Sequence, residues 1–484
     1  MNILLAASEV APFAKTGGLA DVAGALPREL HRMGHDVRIF MPLYRTVREK
    51  DFGLCPLAEL PTVEIGGGHY KGRLWQGDLQ GVPVYFVEQD DFYDRDGLYG
   101  TSQHDYPDNA ERFGFFAKAL LTALPQIGFR PDVLHLNDWQ TGLVPALLRS
   151  KGDANLFYAD TATVMTIHNL GYQGLFPEQA VASVGLDPAL FNIEGLEYYG
   201  QMSFLKSGVV YADLITTVSE TYCAEIQTPE MGHGFDGILR ARADRLFGVL
   251  NGIDEQLWDP QQDPALPSRY SAEDLAGKAE NKRQLQKTLG LTVDADVPLL
   301  AMVTRLASQK GLDLVEQAWD DLLGRGVQLV ILGSGDQDTM DRFEKLGALN
   351  PDQVAVRLGF DDRLARLIYA GSDMFLMPSH YEPCGLGQLI ALRYGSVPVV
   401  RKTGGLADTV FDPQDQAPQA NGFTFSPVAA AAMLAAIDRA LALYRAPENW
   451  QQLVRAGMRG DFSWRQSALR YVDLYQKAVE LHHE

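Results

Sequence analysis

A seven-residue stretch occurs twice in the sequence, and its residue types suit the binding of an anion. Lys15-Thr-Gly-Gly-Leu-Ala-Asp21 is repeated letter for letter as Lys402-Thr-Gly-Gly-Leu-Ala-Asp408, and each copy follows a short apolar run of strand type. A glycine pair after a strand lets backbone N–H groups approach a ligand, and the N-terminus of a following helix favours negative charge. The repeat predicts two similar halves, each with a glycine loop; two unrelated tight turns are the alternative.

Two cations in the second half could bind the same kind of ligand. Arg305 and Lys310 lie five residues apart in Thr304-Arg-Leu-Ala-Ser-Gln-Lys-Gly311, across a predicted strand-to-helix turn. Arginine offers a planar fork of donors and lysine a point charge, so both could converge on one diphosphate. Two solvated surface cations are the alternative interpretation.

Further polar residues follow other predicted strands, where packing does not explain them. Glu382 could accept hydrogen bonds from sugar hydroxyls, or it could cap the helix that follows. His168 could face a cleft or be structural. Cys384 could be a nucleophile because a nearby helix N-terminus lowers a thiol pKa, but a small residue in a crowded loop is the favoured interpretation. The polar clusters are Asn137-Asp138-Trp139, His168-Asn169, Gly333-Ser334-Gly335 and Glu382-Pro-Cys-Gly-Leu386.

The elements that must position these residues are short aliphatic strands alternating with helices. This alternation predicts a parallel, doubly wound α/β sheet in each half, and ligands of such sheets bind beyond the carboxyl ends of the strands. In the first half we predict strands at Asn2–Ala7, Val37–Met41, Val82–Val87, Val133–Leu136, Val164–Ile167 and Leu214–Val218, with helices at Asp21–Met33, Asn109–Leu124 and Gly142–Arg149.

The second half repeats the pattern after turn residues near Leu246–Asp254. We predict strands at Leu299–Val303, Gln328–Leu332, Val354–Leu358, Met374–Met377 and Pro398–Val400. The predicted helices are Leu312–Leu323, Asp336–Leu346, Arg363–Ala370, Leu386–Tyr394, Pro427–Tyr444 and Gln466–His482. The predicted domains are residues 1–248, residues 249–460, and a C-terminal helix in 461–484 that returns to the first domain.

Composition limits the classes of function. The chain has 484 residues, a hydrophobic content of 46% and a net charge of −20, which describe a two-domain globular protein with nucleic acid and anionic membrane disfavoured as partners. A neutral polysaccharide remains compatible with that charge. Three widely spaced cysteines predict neither a disulfide framework nor a metal cluster, and they favour a reducing cytoplasm. No apolar run approaches the length of a membrane span.

Two nucleotide-binding fingerprints are missing. Gly333-Ser-Gly335 lacks the third glycine of a dinucleotide fingerprint because position 338 is Asp. No Gly-x-x-x-x-Gly-Lys-Ser/Thr stretch occurs either, which excludes a P-loop NTPase. An oxidoreductase with two dinucleotide-binding domains is therefore disfavoured.

Taken together and in order, the motifs closely resemble bacterial glycogen synthases and the related plant starch synthases. The resemblance spans essentially the whole chain. It implies a GT-B fold, in which two Rossmann-like domains face a central cleft. It also implies retaining transfer of glucose from ADP-glucose to the non-reducing end of an α-1,4-glucan, with no metal and no other cofactor. The motifs are Lys15 to Val22, Asp138-Trp139, Thr166-Ile-His-Asn-Leu170, Arg305 with Lys310, Glu382 to Leu386, and Arg401 to Asp408.

The resemblance also implies roles for single residues. Arg305 and Lys310 neutralise the departing diphosphate. Asp138, His168 and Glu382 surround the transferred glucose. Tyr99 and Trp139 are the candidates for the acceptor glucan, since aromatic faces suit sugar rings. Lys15, Gly17, Gly18, Asp21, Asn169, Phe360, Cys384, Gly385, Leu386, Thr403, Gly404 and Gly405 line the nucleotide-sugar site.

The chain departs from the family at two places, and two alternative functions stay open. Asn137 and Gln140 flank Asp138-Trp139 where the family often has histidines, which puts acceptor contacts by those side chains in doubt. Phe360 replaces a frequent tyrosine near the base. A front-face mechanism fits the resemblance better than a covalent one through Asp138 and Glu382. The alternatives are a relative that uses UDP-glucose and a non-catalytic glucan-binding homologue.

Overall fold

The chain folds into two compact units. The computed structural model describes residues 1–101, 104–150, 156–415 and 417–484. Unit 1 comprises Met1–Val218, Cys223–Asn251 and Trp464–Glu484, and unit 2 comprises Ser219–Tyr222 and Gly252–Ser463. The chain leaves unit 1 after Asn251 and returns to it at Trp464. The short excursion of residues 219–222 into unit 2 had no signal in the sequence.

In the described part of the chain, unit 1 is built on a nine-stranded sheet. Its central strands are parallel and buried, because short aliphatic runs with helices on both faces exclude water from both sides. Leu214–Thr217, Ala162–Ile167, Val133–Asn137 and Asn2–Ala6 are buried along nearly their whole length. From one edge to the other the strands are Leu246–Gly248, Leu214–Thr217, Ala162–Ile167, Val133–Asn137, Asn2–Ala6, Asp36–Pro42, Val82–Glu88, Arg73–Leu79 and Cys55–Glu59.

One edge of this sheet is antiparallel, whereas the strands in its centre are parallel as predicted. Arg73–Leu79 pairs antiparallel with Val82–Glu88 and with Cys55–Glu59. Burial is mixed along this strand: Leu74, Gly77 and Leu79 are buried, whereas Arg73, Gln76 and Asp78 are exposed. Two small sheets accompany the large one: Val63–Ile65 with Gly68–Tyr70, and Leu175–Pro177 with Gln201–Ser203 and Glu197–Tyr198.

The helices of unit 1 pack by amphipathic faces. Gly18–Arg32 buries Val22, Leu26 and Leu30 at helical spacing, and full burial of such side chains contributes roughly 1.5–3 kcal/mol each. This helix begins three residues before its predicted start. The α-helices of unit 1 are Gly18–Arg32, Arg45–Arg48, Asp90–Tyr93, Asn109–Gln126, Leu143–Ser150, Ala180–Ser183, Phe204–Tyr211, Glu220–Glu225 (whose first turn lies in unit 2), Asp236–Ala241 and Trp464–His482.

The last helix belongs to unit 1, where it packs by aromatic side chains. Tyr475 is fully buried, and its hydroxyl lies 2.7 Å from Nδ1 of His135. Burial lowers the pKa of His135 to about 3, so the ring is neutral. Ser467 donates its hydroxyl to the carbonyl of Leu250. These contacts attach residues 464–484 to the first sheet.

Unit 2 is a parallel doubly wound sheet of six strands in the described residues. From edge to edge the strands are Val354–Leu358, Gln328–Gly333, Leu299–Val303, Met374–Met377, Val397–Arg401 and Phe423–Phe425. All neighbours pair parallel. The α-helices are Ala276–Leu289, Leu312–Gln317, Trp319–Leu323, Gln337–Ala348, Asp362–Gly371, Gly387–Arg393, Gly404–Thr409, Ala430–Tyr444 and Pro447–Met458. The doubly wound α/β prediction is confirmed for both units.

Two further observations concern the helices. The helix predicted as continuous at Leu312–Leu323 is two helices that meet at Ala318. Among the described residues, none of the helices has both the length and the apolar character needed to cross a membrane.

Candidate functional site

The first glycine loop is held by a glutamate that the sequence did not single out. Glu9 is buried, with 3% of its surface exposed. Its carboxylate accepts the backbone N–H of Thr16, the Thr16 hydroxyl at 2.6 Å and the backbone N–H of Gly17 at 3.2 Å. These two backbone N–H groups therefore already donate hydrogen bonds within the protein. The only signal in the sequence was an acidic residue at the end of the first apolar strand.

Lys15 and Asp21 of this loop pair with each other. The Lys15 ammonium lies 2.7 Å from the Asp21 carboxylate, and about half of the Lys15 side chain is exposed. Burial raises the pKa of Asp21, and the negative charge of Glu9 raises it further against the opposing effect of Lys15. A Cβ added at Gly17 would meet no atom within 4 Å. The loop thus presents a cation and open space.

Asp138 lies at the end of the strand Val133–Asn137 in a strained backbone conformation. Its φ of +57° and ψ of −178° belong to a region that is essentially restricted to glycine and costs of order 1–3 kcal/mol. Two hydrogen bonds enforce it: the Asp138 N–H donates to the carbonyl of Thr166, and its carboxylate accepts the N–H of His168 at 2.8 Å. Burial raises the pKa of Asp138 to about 7, despite bonds from the backbone N–H groups of His168 and Asn169.

His168 is held as a neutral imidazole. Its Nε2 lies 2.8 Å from the amide oxygen of Asn137. The Asn137 amide nitrogen donates to two backbone carbonyls, of Ala6 and His135, which assigns the oxygen to His168 and the ring proton to Nε2. Burial lowers the pKa of His168 to about 3. The remaining nitrogen, Nδ1, carries a lone pair that can accept a hydrogen bond from a hydroxyl group. Asn137 therefore orients this ring, a role that the sequence did not reveal.

The structure gives Tyr99 and Trp139 partners within unit 1. The Tyr99 hydroxyl donates to Glu9 at 2.6 Å and lies 2.7 Å from the Ser8 hydroxyl. The Trp139 ring packs edge-on against Phe113, with ring centroids 4.9 Å apart. The ring centroids of Tyr99 and Trp139 lie 6.4 Å apart, beside the Asp138 turn. Their contact with a glucan stays a prediction.

Lys310 and Glu382 of unit 2 form a buried ion pair. The Lys310 ammonium lies 2.7 Å from the Glu382 carboxylate, and their side chains are 14% and 8% exposed. The same carboxylate oxygen accepts the Ser379 hydroxyl at 3.0 Å. Removing one partner of such a pair would leave a buried charge without compensation. The lysine is thus held in place at the end of the short helical turn Ser308–Lys310.

Arg305 is connected to the same group through the loop that carries Glu382. Arg305 is exposed, and its guanidinium lies 3.3 Å from the side-chain oxygen of Gln309. The side-chain amide of Gln309 donates to the carbonyl of Tyr381, and the backbone carbonyl of Gln309 accepts the N–H of His380. Gly311 allows the close approach: its φ is +68°, and an added Cβ would lie 2.0 Å from the Pro378 carbonyl. The two loops after neighbouring strands therefore bring Arg305, Lys310 and Glu382 to one edge of the sheet.

The second glycine loop supports the Glu382 loop through its backbone. A Cβ on Gly404 would lie 1.9 Å from the carbonyl of Glu382, and one on Gly405 would lie 2.1 Å from that of Cys384. The Gly405 N–H is shared between the carbonyls of Glu382 and Pro383. Thr403 is fully buried. Glycine is required here by the approach of another loop.

The two copies of the repeat also differ in their outer residues. Lys402 is exposed and lies 3.3 Å from Asp415. Asp408 accepts the backbone N–H and the hydroxyl of Thr221, whereas its counterpart in the first copy pairs with Lys15. Arg401, to which the sequence analysis gave no role of its own, donates from Nε to the Ser379 carbonyl at 2.7 Å. The only hint was a charged residue at the end of a buried strand.

The remaining predicted residues, apart from Phe360, lie in the loops already described. Asn169 accepts the Gly171 N–H at 3.0 Å and shapes the turn after His168. Cys384 is 5% exposed in the crowded loop beneath Gly405, as its small size suggests. Gly385 has a φ of +74°, and Leu386 precedes the helix Gly387–Arg393. Phe360 follows the strand Val354–Leu358 and is 88% exposed. In the described residues, no group of three or more His, Cys, Asp or Glu side chains is placed to hold a metal ion.

The fold and the charged loops define a class of protein. Two doubly wound α/β units with their polar residues beyond the carboxyl ends of parallel strands are the GT-B architecture of glycosyltransferases. Sucrose-phosphate synthase from Thermosynechococcus elongatus shares this fold, with a TM-score of 0.61, 19% identity and 98% of each chain covered. The sequence family of starch synthase catalytic domains matches residues 2–241, and the family of glycosyl transferases group 1 matches residues 290–456.

Full-length relatives narrow the class to one family. A glycogen synthase of Syntrophotalea carbinolica is 80% identical over 100% of both chains, and glycogen synthase 2 of Geobacter sulfurreducens is 51% identical over 99% of both. The catalytic domain of starch synthase IV from Arabidopsis thaliana, bound to ADP and acarbose, superposes with a TM-score of 0.91 at 36% identity, covering 99% of each chain. The chain belongs to the glycogen synthase and starch synthase family of retaining glycosyltransferases, as its motifs predicted.

Proposed function

We propose that the chain transfers glucose from ADP-glucose to the non-reducing end of an α-1,4-glucan, with the anomeric configuration retained. The observation that carries this proposal is the buried Lys310–Glu382 ion pair, which connects through one loop to the exposed Arg305. The ADP and acarbose bound to the similar plant starch synthase domain support an adenine nucleotide donor and a sugar acceptor.

In unit 2 the two cations act on the leaving group. A nucleoside diphosphate gains negative charge as the bond to glucose breaks, and preorganised cations stabilise that charge in the transition state. Lys310 is already positioned for this task by Glu382. When Lys310 exchanges its hydrogen bond to Glu382 for one to the phosphate, the Glu382 carboxylate can accept hydrogen bonds from sugar hydroxyls. Arg305 and Lys310 then balance the diphosphate without a metal ion or another cofactor, so EDTA leaves the rate unchanged.

In unit 1, Asp138 and His168 act as polar contacts to sugar. The neutral His168 ring offers Nδ1 as an acceptor, because Asn137 occupies Nε2. Asp138, whose pKa burial raises to about 7, is partly protonated near neutral pH. Glu382 shares its charge with Lys310 and Ser379. The route we propose is front-face, with the acceptor hydroxyl entering beside the leaving ADP, rather than one through a covalent glucosyl intermediate on either carboxylate.

We also propose that the protein acts in the cytoplasm and binds neither nucleic acid nor an anionic membrane. The odd, widely spaced set of cysteines suits a reducing cytoplasm. A net charge of −20 opposes binding to nucleic acid or to an anionic membrane, whereas a neutral glucan is not repelled.

The test is a transfer assay with maltotriose and either ADP-glucose or UDP-glucose. The wild type is expected to prefer ADP-glucose. Lys310→Ala should lower kcat by about 10²–10³-fold, and Lys310→Gln, which can still donate a hydrogen bond to Glu382, should show a similar loss. Lys402→Ala removes an exposed lysine that pairs with Asp415 and serves as the matched control, with wild-type turnover.

Each part of the proposal has its own refutation. A wild type that transfers glucose from neither donor refutes the transferase function, and one that prefers UDP-glucose refutes the donor assignment. Turnover near the wild-type value in both Lys310 variants removes the leaving-group role. Circular dichroism checks that the variants are folded.

A further inference from the structure

A buried hydroxyl shares one oxygen of Glu382 with Lys310. Ser379 lies in the loop after the strand Met374–Met377 and is 1% exposed. Its hydroxyl donates to Oε2 of Glu382 at 3.0 Å, and the Lys310 ammonium lies 2.7 Å from the same oxygen. Because Oε2 already has two donors, Oε1 is the oxygen better suited to accept a sugar hydroxyl. The two donors therefore determine how the carboxylate is oriented towards a substrate.

The backbone of Ser379 is held by a buried arginine. Arg401 ends the neighbouring strand Val397–Arg401 and is 8% exposed. Its guanidinium donates from Nε to the Ser379 carbonyl at 2.7 Å, from Nη2 to the His380 carbonyl, and from Nη1 to the Ser426 carbonyl at 3.4 Å. The planar fork of an arginine suits such a fixed set of acceptors. The peptide from which the Ser379 hydroxyl projects is thus anchored to the next strand of the sheet.

The backbone of the same loop is held on both sides of Glu382. Before it, the His380 N–H donates to the carbonyl of Gln309 at 2.8 Å. After it, the Gly405 N–H is shared between the carbonyls of Glu382 and Pro383. Since the backbone is fixed in this way, the side chain of Glu382 is the part of the loop whose position depends on Lys310 and Ser379.

Lys310 does not hold Glu382 throughout the proposed reaction. In the structure both Lys310 and Ser379 bind the carboxylate. When Lys310 exchanges this bond for one to the phosphate, Ser379 is the donor of the pair that stays on Oε2. A buried charge without a hydrogen-bond donor is unfavourable. The Ser379 hydroxyl is therefore needed most in the state in which the lysine has left.

We propose that Ser379 is a positioning residue, which holds the Glu382 carboxylate in place while Lys310 stabilises the departing diphosphate. The inference rests on the proposed function, because it assigns the lysine to the leaving group. A hydrogen bond to a charged group changes an equilibrium by about one to two powers of ten. Removing the Ser379 hydroxyl should therefore lower kcat by about 10–100-fold and change KM little, since the bond matters most in the transition state.

The test compares Ser379→Ala, Ser379→Thr and Ser396→Ala with the wild type, with ADP-glucose and maltotriose as substrates. Ser379→Ala should show this loss in kcat, with both KM values within about threefold of the wild type. Ser379→Thr keeps the hydroxyl, so its kcat should stay within about threefold of the wild type. Ser396→Ala is the matched control, because Ser396 is also buried and its hydroxyl lies 2.7 Å from that of Ser372. This control should keep the wild-type kcat, and both alanine variants should have similar thermal midpoints.

The outcomes separate the inference from the proposed function. Wild-type kcat in Ser379→Ala removes the positioning role, and an equal loss of kcat in Ser379→Thr shows that the hydroxyl is not what matters. Raised KM values for both substrates, with a thermal midpoint below that of Ser396→Ala, would make Ser379 a structural residue instead. In each of these cases the wild type still transfers glucose, so the proposed function stands. A wild type that transfers glucose from neither ADP-glucose nor UDP-glucose overturns the proposed function, and the inference with it.

Discussion

Replacing Glu9 by alanine removes the acceptor that holds the backbone of the first glycine loop. The carboxylate accepts two backbone N–H groups, from Thr16 and Gly17, together with the hydroxyls of Thr16 and Tyr99. A hydrogen bond to a charged group contributes about 1.5–3 kcal/mol. The two N–H bonds alone therefore favour the closed loop by roughly 3–6 kcal/mol, which corresponds to about two to four powers of ten in an opening equilibrium.

Hydrogen exchange measures that equilibrium at the amides concerned. In Glu9→Ala the Thr16 and Gly17 amides should exchange about 10²–10⁴-fold faster, as followed by mass spectrometry of fragmented peptides from residues 8–21. Glu9→Gln is the matched control. Its amide oxygen can accept both N–H groups while its nitrogen donates to the two hydroxyls. Two neutral hydrogen bonds of about 0.5–1.5 kcal/mol each then replace two charged ones, so the rates should rise clearly less than in Glu9→Ala.

Two outcomes would refute the reasoning. Wild-type protection of Thr16 and Gly17 in Glu9→Ala would show that the carboxylate does not hold the loop. Equal loss of protection in Glu9→Gln and Glu9→Ala would show that the charge matters and the hydrogen-bond geometry does not.

The remaining predictions concern Asp138 and the two glycine loops. Burial raises the folded-state pKa of Asp138 to about 7 from 3.8, so its charged form opposes folding progressively as pH rises from about 4 to 7. Asp138→Asn should therefore gain about 2–4 kcal/mol of stability relative to the wild type between pH 4 and pH 8 in urea unfolding; a pH-independent difference would contradict this. Gly405→Ala meets the Cys384 carbonyl whereas Gly17→Ala meets open space, so the first should lose about 1–3 kcal/mol and the second less than about 0.5 kcal/mol. Equal losses would contradict the different roles of the two loops.

Much of the fold followed from the sequence because buried parallel strands are short apolar runs between turn residues. Leu299–Val303, Val354–Leu358 and Met374–Met377 have the bounds that were predicted. The strand Arg73–Leu79 was missed because polar residues and a glycine interrupt its apolar positions, as suits its place near the sheet edge.

The helix Ala276–Leu289 was missed for a related reason. It is rich in polar residues, yet it buries Lys282, whose ammonium lies 2.8 Å from Asp373 and also donates to backbone carbonyls. Such burial depends on partners far away in the chain, so hydrophobic periodicity gives no sign of it.

The candidate site, like the fold, could be predicted only in part. Arg305, Lys310 and Glu382 could be predicted because charged residues directly after apolar strands share one edge of a parallel sheet. The contacts of Glu9, Asn137 and Arg401 could not be predicted, because each acts on backbone groups or side chains whose positions only the folded chain determines. The two glycine loops are identical in sequence, yet the contacts around Gly17 and Gly405 differ.

The most direct test of the central claim follows the fate of labelled glucose. ADP-glucose carrying ¹³C at the glucose C1 is incubated with the full chain and maltotriose, and the product is examined by NMR. The account predicts maltotetraose with the label in an α-1,4-linked glucose at the non-reducing end, in step with release of ADP. Label released as free glucose, attached with inverted configuration, or left in the donor would contradict it.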